Sequence, residues 1–297
     1  MQQGAKTNMS DHEEKKGDRI AKVMARAGLC SRRDAERWIT EGRVKVCGKV
    51  INTPATLITD PTTVVVDGKP LSAPAEAQLW RYHKPPGLVT SHKDDQGRET
   101  VFDHLPPQIG RVVSVGRLDL NSEGLLLLTN DGGLARELEL PSNDWVRTYR
   151  VRVFGHVDDE KLDQLKDGIT YEGIKYGTIN ARIEKKTGRN AWLIVSLSEG
   201  KNREIRRVMD HLELQVNRLI RISYGPFRLD DLQRGDVQQV PRRQMIDQLG
   251  GKLDSSATPV KASKKGWAKP KAKANAKPKP KARTTRLQNS KVHKSKR

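Results

Sequence analysis

The sequence predicts a protein of mixed α and β structure, and three observations support that prediction. Short runs of Val and Leu bounded by Gly, Asn and Asp, such as 112–115 and 125–128, are typical of buried strands. Apolar residues at helical spacing occur instead in 20–27 and 31–42. Between residues 145 and 198, three strand patterns surround one helical pattern, so we expect strands to form the larger part of the molecule.

The positive charge of the chain is concentrated at its C-terminal end. The 297 residues contain 56 Lys and Arg against 36 Asp and Glu, a formal net charge of +20. Residues 261–297 hold 15 of the basic residues and no acid, which leaves 41 basic and 36 acidic residues elsewhere. We expect a nearly neutral globular body and a disordered basic tail over 251–297. The tail either attracts phosphate without sequence preference or only adds solubility.

The sequence gives no support to several classes of protein. No apolar run approaches the roughly 18 residues that span a bilayer. Residues 1–17 are polar and lack an apolar signal core, so we expect a disordered leader and a cytoplasmic protein. Cys30 and Cys47 form no C-x-x-C pattern, and the seven histidines form no H-x-x-x-H pair. We expect reduced thiols, no metal and, without a P-loop or a G-x-G-x-x-G turn, no cofactor.

Residues 18–71 predict two short helices followed by a small sheet. The first helix covers 18–27 and stops at a glycine. The second begins after a serine N-cap, turns Trp38 and its apolar neighbours inward, and ends at Gly42. A hairpin around a Cys-Gly turn and a strand at 64–66 follow.

The same segment contains ten basic residues against six acids. Six of the basic residues lie in the second helix and the hairpin: Arg32, Arg33, Arg37, Arg43, Lys45 and Lys49. They either line one surface and contact RNA phosphates or form an ordinary solvated face. Charge alone favours the solvated face.

A linker over 72–78 precedes a second domain over 79–250, which begins with a strand that runs into Lys84-Pro85-Pro86-Gly87. Lys84 either touches RNA or faces solvent in this turn. Farther on, Asp119 lies on a short loop between the strands at 112–115 and 125–128. A loop held between buried strands suits chemistry, although Asp119 alone is as readily a turn cap or a partner of Arg117.

Two later segments complete the candidate site. Tyr149 lies in the alternating strand 145–154, where it is either a core aromatic or an active-site residue. In L-S-E-G-K-N-R-E-I-R-R-V-M, over 197–209, a glycine-containing turn leads into a basic helix, and Arg203, Arg206, Arg207 and Asp210 share one face. We further expect strands at 177–198, a strand and turn at 214–229, and a last helix at 241–249.

Four of these patterns together resemble the RNA pseudouridine synthases of the RsuA/RluB branch, over roughly 18–245. They are K-P-P-G at 84–87, G-R-L-D-L-N-S-E-G-L-L-L-L-T-N-D-G at 116–132, R-T-Y-R-V at 147–151 and E-G-K-N-R-E-I-R-R at 199–207. Residues 18–71 resemble the S-four-type RNA-binding domain, which moves their basic residues towards RNA binding. Ser122 stands where the family commonly has Thr, and it retains the hydroxyl.

The resemblance implies an α+β fold with a mixed, largely antiparallel sheet and an active cleft across it. It makes Asp119 the catalytic residue, Arg206 its ion-pair partner, and Tyr149 the ring that stacks on the base. Residues expected to contact RNA are Arg32, Arg33, Arg37, Arg43, Lys45, Lys84, Arg117, Lys201, Asn202 and Arg203. Such an enzyme isomerises uridine to pseudouridine with no cofactor or metal, on a uridine that is unpaired or flipped out.

The stretches D-R-I-A-K-V-M-A-R-A-G-L-C-S-R-R and V-N-R-L-I-R-I-S-Y-G look most like the large-subunit type. The expected partner is therefore 23S ribosomal RNA, free or in an assembling large subunit, bound by a monomer without membrane contact. Two alternatives stay open. One is a synthase acting on 16S ribosomal RNA, and the other is a non-catalytic ribosome-assembly factor that clamps RNA between its domains.

Overall fold

The computed structural model describes residues 17–250, so the predicted leader, apart from Gly17, and the predicted basic tail lie outside it. Within that range no helix is both long and apolar enough to cross a membrane. The same residues contain no group of three His, Cys, Asp or Glu side chains placed to hold a metal ion.

The N-terminal part consists of two helices and short strands. Its elements are β1 Asp18–Arg19, α1 Ile20–Arg26, α2 Arg32–Thr40, β2 Val44–Val46, β3 Lys49–Val50, β4 Leu57–Ile58, β5 Val64–Val66 and β6 Lys69–Pro70. The Ser31 hydroxyl accepts a hydrogen bond from the Asp34 N–H at 3.0 Å, as expected of an N-cap. The predicted helices, hairpin and strand at 64–66 are confirmed.

Apolar residues from both helices and the small sheet form one core in this part, with Ile20, Met24, Ile39, Val44 and Val64 fully buried. The expectation that Trp38 turns inward with them is only half met. Its ring is partly buried, and the Arg43 guanidinium lies 4.5 Å from the ring centre. A cation over the ring face replaces part of the expected apolar packing.

The second part is built on one large sheet. Its elements are β7 Leu79–Lys84, β8 Val113–Val115, β9 Glu123–Thr129, α3 Gly132–Glu139, β10 Arg147–Phe154, α4 Asp159–Gln164, β11 Ile169–Tyr171, β12 Ile174–Tyr176, β13 Ile179–Thr187, β14 Asn190–Leu197, α5 Glu204–His211, β15 Gln215–Tyr224, β16 Phe227–Arg228, β17 Val237–Gln239 and α6 Arg242–Leu249. The strand order is β13-β14-β10-β15-β9-β7-β17, with β8 paired to β9 and β16 to β15. Only the β15–β9 pairing of this sheet is parallel, which confirms the mixed, largely antiparallel sheet.

Several short elements differ from the sequence-based expectation, and two of them lie in the second part of the chain near β7. The sequence of residues 98–106 predicts a short helix, but the structure has a single 3-10 turn there, at Val101–His104, closed by hydrogen bonds between Thr100 and Asp103. Strand β17 was not predicted, because its three residues carry no apolar alternation. It forms by pairing with the edge of β7, a contact that local sequence does not encode.

Each face of the sheet is covered by different helices. On one face, α4 and α5 enclose a core with Leu162, Val208, Val151 and Leu193. On the other, α3 packs against the Leu125 and Leu127 side of β9, and α6 joins the same core. We call the first the cleft face, because Asp119 and Tyr149 line a cleft there, and the second the back face.

Candidate active site

Asp119 lies in the loop that joins β8 to β9, and glycines at both ends shape this loop. Gly116 has a φ of 67°, in the left-handed region. Gly124 has a φ of 100°, and a Cβ there would approach the Arg221 carbonyl oxygen to 2.3 Å. Only glycine therefore lets β9 run beside β15 at this point. The Asp119 side chain is 34% exposed, so its carboxylate is open to a substrate.

The turn after β7 anchors the Asp119 loop from below. The Lys84 ammonium donates to the backbone oxygens of Ser122 at 3.0 Å, Leu120 at 3.2 Å and Pro85 at 3.0 Å. The Gly87 N–H also donates to the Leu120 oxygen, at 2.8 Å. The K-P-P-G motif at 84–87 and the Asp119 loop are thus one structural unit.

Both interpretations of Lys84 drawn from the sequence, RNA contact and solvent exposure, are wrong. The residue is fully buried. Burial lowers the pKa of Lys84 to about 8, although the nearby Asp119 and Glu123 carboxylates oppose that shift. A lysine buried against backbone carbonyls holds the loop and cannot reach a nucleic acid.

The cation paired with Asp119 in the described chain is Arg203, whose Nη1 lies 3.9 Å from the carboxylate Oδ2. The expected ion pair with Arg206 is absent from the described residues, as is the alternative pair with Arg117. The half-buried Arg206 guanidinium instead donates to the backbone oxygens of Asn121 at 3.0 Å and Val216 at 3.4 Å. Carbonyls of the Asp119 loop and of β15 are nearer to it than the carboxylate is.

Electrostatics still connect Arg206 to Asp119. Burial and the neighbouring Arg203 charge lower the pKa of Arg206, while the Asp119 carboxylate opposes this effect. Arg206 thus contacts the backbone of the Asp119 loop, and Arg203 approaches the Asp119 carboxylate from the solvent side. Arg203 reaches this position with a φ of 51°, an uncommon conformation for a residue with a side chain.

Asp119 and Tyr149 line the same cavity, which has a volume of about 260 Å³. Tyr149 lies on β10 opposite Val195 of β14 and Arg221 of β15, and its side chain is half-buried. Other polar residues of the cavity wall are Arg117, Ser122, Glu139, Arg147, Lys201, Arg203, Glu204 and Arg221. A larger cavity of about 670 Å³ lies by Arg81 and Asp230 and holds none of the predicted catalytic residues.

Comparison with known proteins agrees with this geometry. Residues 78–211 match the family model of the RNA pseudouridylate synthases, and residues 18–65 match that of the S4 domain. A Rickettsia bellii protein described as an uncharacterized RNA pseudouridine synthase is 47% identical over 225 residues, 76% of this chain and 97% of that protein. The chain belongs to the RNA pseudouridine synthase family.

Further relatives of this pseudouridine synthase have more specific names. Proteins named ribosomal large subunit pseudouridine synthase B are 43% identical in Yersinia pestis and 42% identical in Escherichia coli. The matches cover 72% and 71% of this chain, and 69% and 75% of the relatives. A crystal structure of a pseudouridylate synthase superposes with a TM-score of 0.55 at 26% identity, covering 78% of this chain and 99% of that one.

The sequence did not indicate that Arg147 and Arg221 belong to this pseudouridine synthase's cleft. The Arg147 guanidinium donates to the backbone oxygens of Ser198 and Glu199 and to the Tyr224 hydroxyl, which joins β10 to the turn before α5. Arg221 is only 2% exposed and donates from Nε to the Leu125 oxygen at 2.7 Å. In sequence, both are merely arginines in alternating strands.

Glu204 was also missed. It is the first residue of α5, is 4% exposed, and accepts the Lys201 N–H at 2.8 Å. Burial raises the pKa of its carboxyl, while the Lys201 backbone hydrogen bond opposes the rise. This hydrogen bond closes the turn that carries Arg203. In the sequence, only the position of Glu204 within the E-G-K-N-R-E-I-R-R string indicates this role.

The remaining predicted RNA contacts lie in two places. Around the cleft, Arg117 is exposed at the wall, and Asn202 is exposed in the turn before α5. The Lys201 ammonium donates to the Lys175 oxygen at 2.7 Å and pairs with Glu199, so it is already engaged.

In the S4 domain, Arg32, Arg33 and Lys45 are exposed. Arg37 pairs with Asp34 at 3.1 Å, and Arg43 pairs with Asp67 at 2.6 Å. Three of the five predicted contacts are therefore open, and two are engaged with acids of their own domain.

Proposed function

We propose that this pseudouridine synthase isomerises a uridine of 23S ribosomal RNA, with Asp119 as the catalytic carboxylate and the target uridine flipped into the cleft. The observation that carries the proposal is the placement of Asp119. Its carboxylate opens into the cavity from a loop whose carbonyls are held by the buried Lys84 and by Arg206. A fixed loop with an open carboxylate is the arrangement that charge-stabilising or nucleophilic catalysis requires.

The reaction breaks the bond between the sugar and N1 of uracil, turns the base, and rejoins it through C5; C5 loses its proton and N1 gains one, so the product is an isomer. A carboxylate at the sugar or base either forms a covalent link or stabilises developing positive charge. In either case Asp119 is the group that touches the reacting atoms. Arg203 and Arg206 are positioning residues, since they hold the carboxylate and its loop.

Tyr149 is placed to receive the base. Its ring lines the same cavity as Asp119, and an aromatic ring provides a stacking surface for an unpaired base. The cavity volume of about 260 Å³ lies below the range of pockets that enclose drug-sized ligands, which suits one nucleoside rather than a folded RNA segment. A uridine inside a helix cannot reach Asp119, so the target must leave its stack.

The choice of 23S ribosomal RNA rests on the relatives named as large-subunit synthases. We place the protein in the cytoplasm with that substrate, as a monomer, on free RNA or on an assembling large subunit. A synthase acting on 16S ribosomal RNA is the alternative substrate assignment. The non-catalytic assembly factor is disfavoured because an RNA clamp has no use for a carboxylate held open beside Tyr149.

The first test maps pseudouridines across both large ribosomal RNAs in cells that lack this protein. Carbodiimide labelling with primer extension is applied after complementation with the wild type or with Asp119→Asn. We expect one 23S site to disappear in the deletion and to return only with the wild type. In vitro, Asp119→Asn should retain RNA affinity within about threefold, because this substitution removes no side chain that contacts a phosphate.

Each other result has a distinct meaning. Restoration of the site by Asp119→Asn removes Asp119 from the chemistry. Loss of a 16S site instead moves the substrate to the small subunit. If neither RNA changes, the assembly-factor alternative takes precedence over catalysis on ribosomal RNA. A variant that loses RNA affinity as much as activity shows that Asp119 is needed for binding.

A further inference from the structure

The back face is covered at β15, where Ile220 is buried in the core that α3 and α6 share, but towards β13 it opens to solvent. Helices α4 and α5 cover only the cleft face of strands β13, β14, β10 and β15, where alternate residues such as Val151 and Leu193 are fully buried. On the back face, the neighbouring positions Arg152 and Arg182 are exposed, and Trp192 is only half-buried. Antiparallel sheets commonly leave one face in water, so the chemistry of the residues on this face decides what it can bind.

Arginines occupy this open surface in register. Arg152 of β10 lies directly opposite Trp192 of β14 on one side and Arg218 of β15 on the other. Arg150 and Arg182 both lie opposite Ile194 of β14. We call Arg150, Arg152, Arg182, Trp192 and Arg218 the arginine face. Four adjacent strands make it about 14 Å wide.

Acids of the described chain balance two of the four arginines of the arginine face, Arg150 and Arg218, and leave the other two unbalanced. In the described residues, neither Arg152 nor Arg182 has a hydrogen-bond or ion-pair partner. Glu123 is the carboxylate for Arg218 at 2.8 Å and is shared with Arg234 at 3.0 Å. Arg152 lies directly opposite Arg218 and has no acid of its own within residues 17–250, so an anion bound over Arg152 would relieve the repulsion between the two like charges.

Aromatic rings are interleaved with these charges. The Arg150 guanidinium lies 4.4 Å from the Trp192 ring centre and reaches Glu184 at 2.6 Å. At the end of the same face, the Arg189 guanidinium lies 5.0 Å from the ring centre of Phe154, which is 37% exposed. Stacked guanidinium groups keep their edges free for phosphate oxygens, and the rings beside them can take an unpaired base.

We propose that the arginine face binds the phosphate backbone of a second segment of the RNA substrate. It lies on the opposite side of the sheet from Asp119, so it cannot hold the target uridine. Charge disfavours two other occupants, the chain's own basic C-terminal segment and a second copy that docks through the same face. The chain's own C-terminal segment 261–297 contains no acid, and a second copy would oppose arginine to arginine. The inference rests on RNA as the substrate class but not on which uridine is modified.

The test uses the full-length protein with the double substitution Arg152→Glu and Arg182→Glu. The matched control is Lys161→Glu with Arg243→Glu, which changes the same charge at exposed positions outside both the cleft and the arginine face. The affinity for a 23S ribosomal RNA transcript is measured over a range of salt concentrations. Turnover kinetics on the same transcript separate KM from kcat.

We expect the arginine-face variant to weaken binding about tenfold and to flatten the log–log salt slope by roughly 1.5, as two lost phosphate contacts would. Its KM should rise while kcat stays at the wild-type value, which distinguishes this result from failure of the catalytic proposal. The control should change affinity by less than twofold. Unchanged affinity or an effect equal to that of the control would overturn the proposal and favour an acidic protein as the occupant.

Folding is checked by thermal unfolding, because two new glutamates on a sheet face change its charge balance. If that variant is unfolded, Arg152→Gln with Arg182→Gln replaces it, since Gln keeps the stem of the side chain and removes only the charge. We expect this neutral pair to lose affinity and salt dependence by a smaller amount in the same direction. Wild-type affinity in the folded Gln variant would contradict the proposal equally.

Discussion

Basic residues are held differently in the S4 domain and in the cleft. In the S4 domain, Arg37 and Arg43 lie at the surface and pair with acids a few ångströms away. In the cleft, Lys84 and Arg206 are buried or half-buried and donate to backbone carbonyls of the Asp119 loop. The first arrangement leaves the side chains in contact with solvent, and the second fixes a loop.

We infer that the basic residues of the S4 domain contribute to RNA affinity, whereas Lys84 and Arg206 position the Asp119 loop. Exposed ion pairs contribute little to stability, so they do not fix the position of the backbone. Cations buried against carbonyls are costly to move, so they determine where the backbone lies. We therefore expect substitutions in the cleft to change kcat and those in the S4 domain to change RNA affinity.

The largest expected effect comes from comparing alanine substitutions of the two arginines near Asp119. Arg206→Ala should lower kcat about a hundredfold, because the Asn121 carbonyl loses its donor and a shift of the loop by about 1 Å has that effect. Arg203→Ala should lower kcat by no more than about fivefold, since its contact with Asp119 is exposed. Single-turnover rates on an RNA transcript measure both, and a larger effect from Arg203 would invert the assignment.

Lys84→Met tests the anchor of the loop and should lower kcat about tenfold, since the three carbonyls lose a common donor. It should also alter the pH dependence of stability. The pKa of Lys84 is about 8 in the folded protein against an ordinary 10.5, so between these values the unfolded chain binds more protons. Lys84 therefore makes the free energy of unfolding increase with pH across this window.

Denaturant unfolding at several pH values between 7 and 11 measures that increase in the wild type and in Lys84→Met. The variant should lack the part of the increase that Lys84 contributes. Curves that stay parallel across the window would show that Lys84 keeps an ordinary pKa in the folded state. An unaltered kcat would show that the loop does not depend on this anchor.

The smallest effect is expected in the S4 domain. Arg32→Ala with Arg33→Ala should weaken RNA binding severalfold and reduce the salt slope by about 2, because both side chains are exposed and uncommitted. The single substitutions Arg32→Ala and Arg33→Ala are compared with Arg37→Ala, whose side chain is paired with Asp34 and which should change affinity less than either. Equal effects from all three would mean that RNA displaces these ion pairs freely. A change in kcat would show that the S4 domain also helps to position the substrate for reaction.

Local signals were sufficient for most elements of this fold. Ser31 begins α2 as an N-cap, and the Val and Leu runs on both sides of Asp119 form β8 and β9, because caps, turns and runs of apolar residues act over a few neighbours. The motif strings also indicated the cleft, and the structure brings Asp119, Tyr149 and Arg203 to one cavity.

What only the tertiary structure decided depends on which distant strands become neighbours. The burial of Lys84 requires the turn after β7 to lie beneath the Asp119 loop, and the choice of Arg203 over Arg206 follows from how α5 meets that loop. The pairing of Arg152 with Arg218 depends on the register of β10 against β15. Such contacts join residues far apart in sequence, so the local pattern of charge and hydropathy does not encode them.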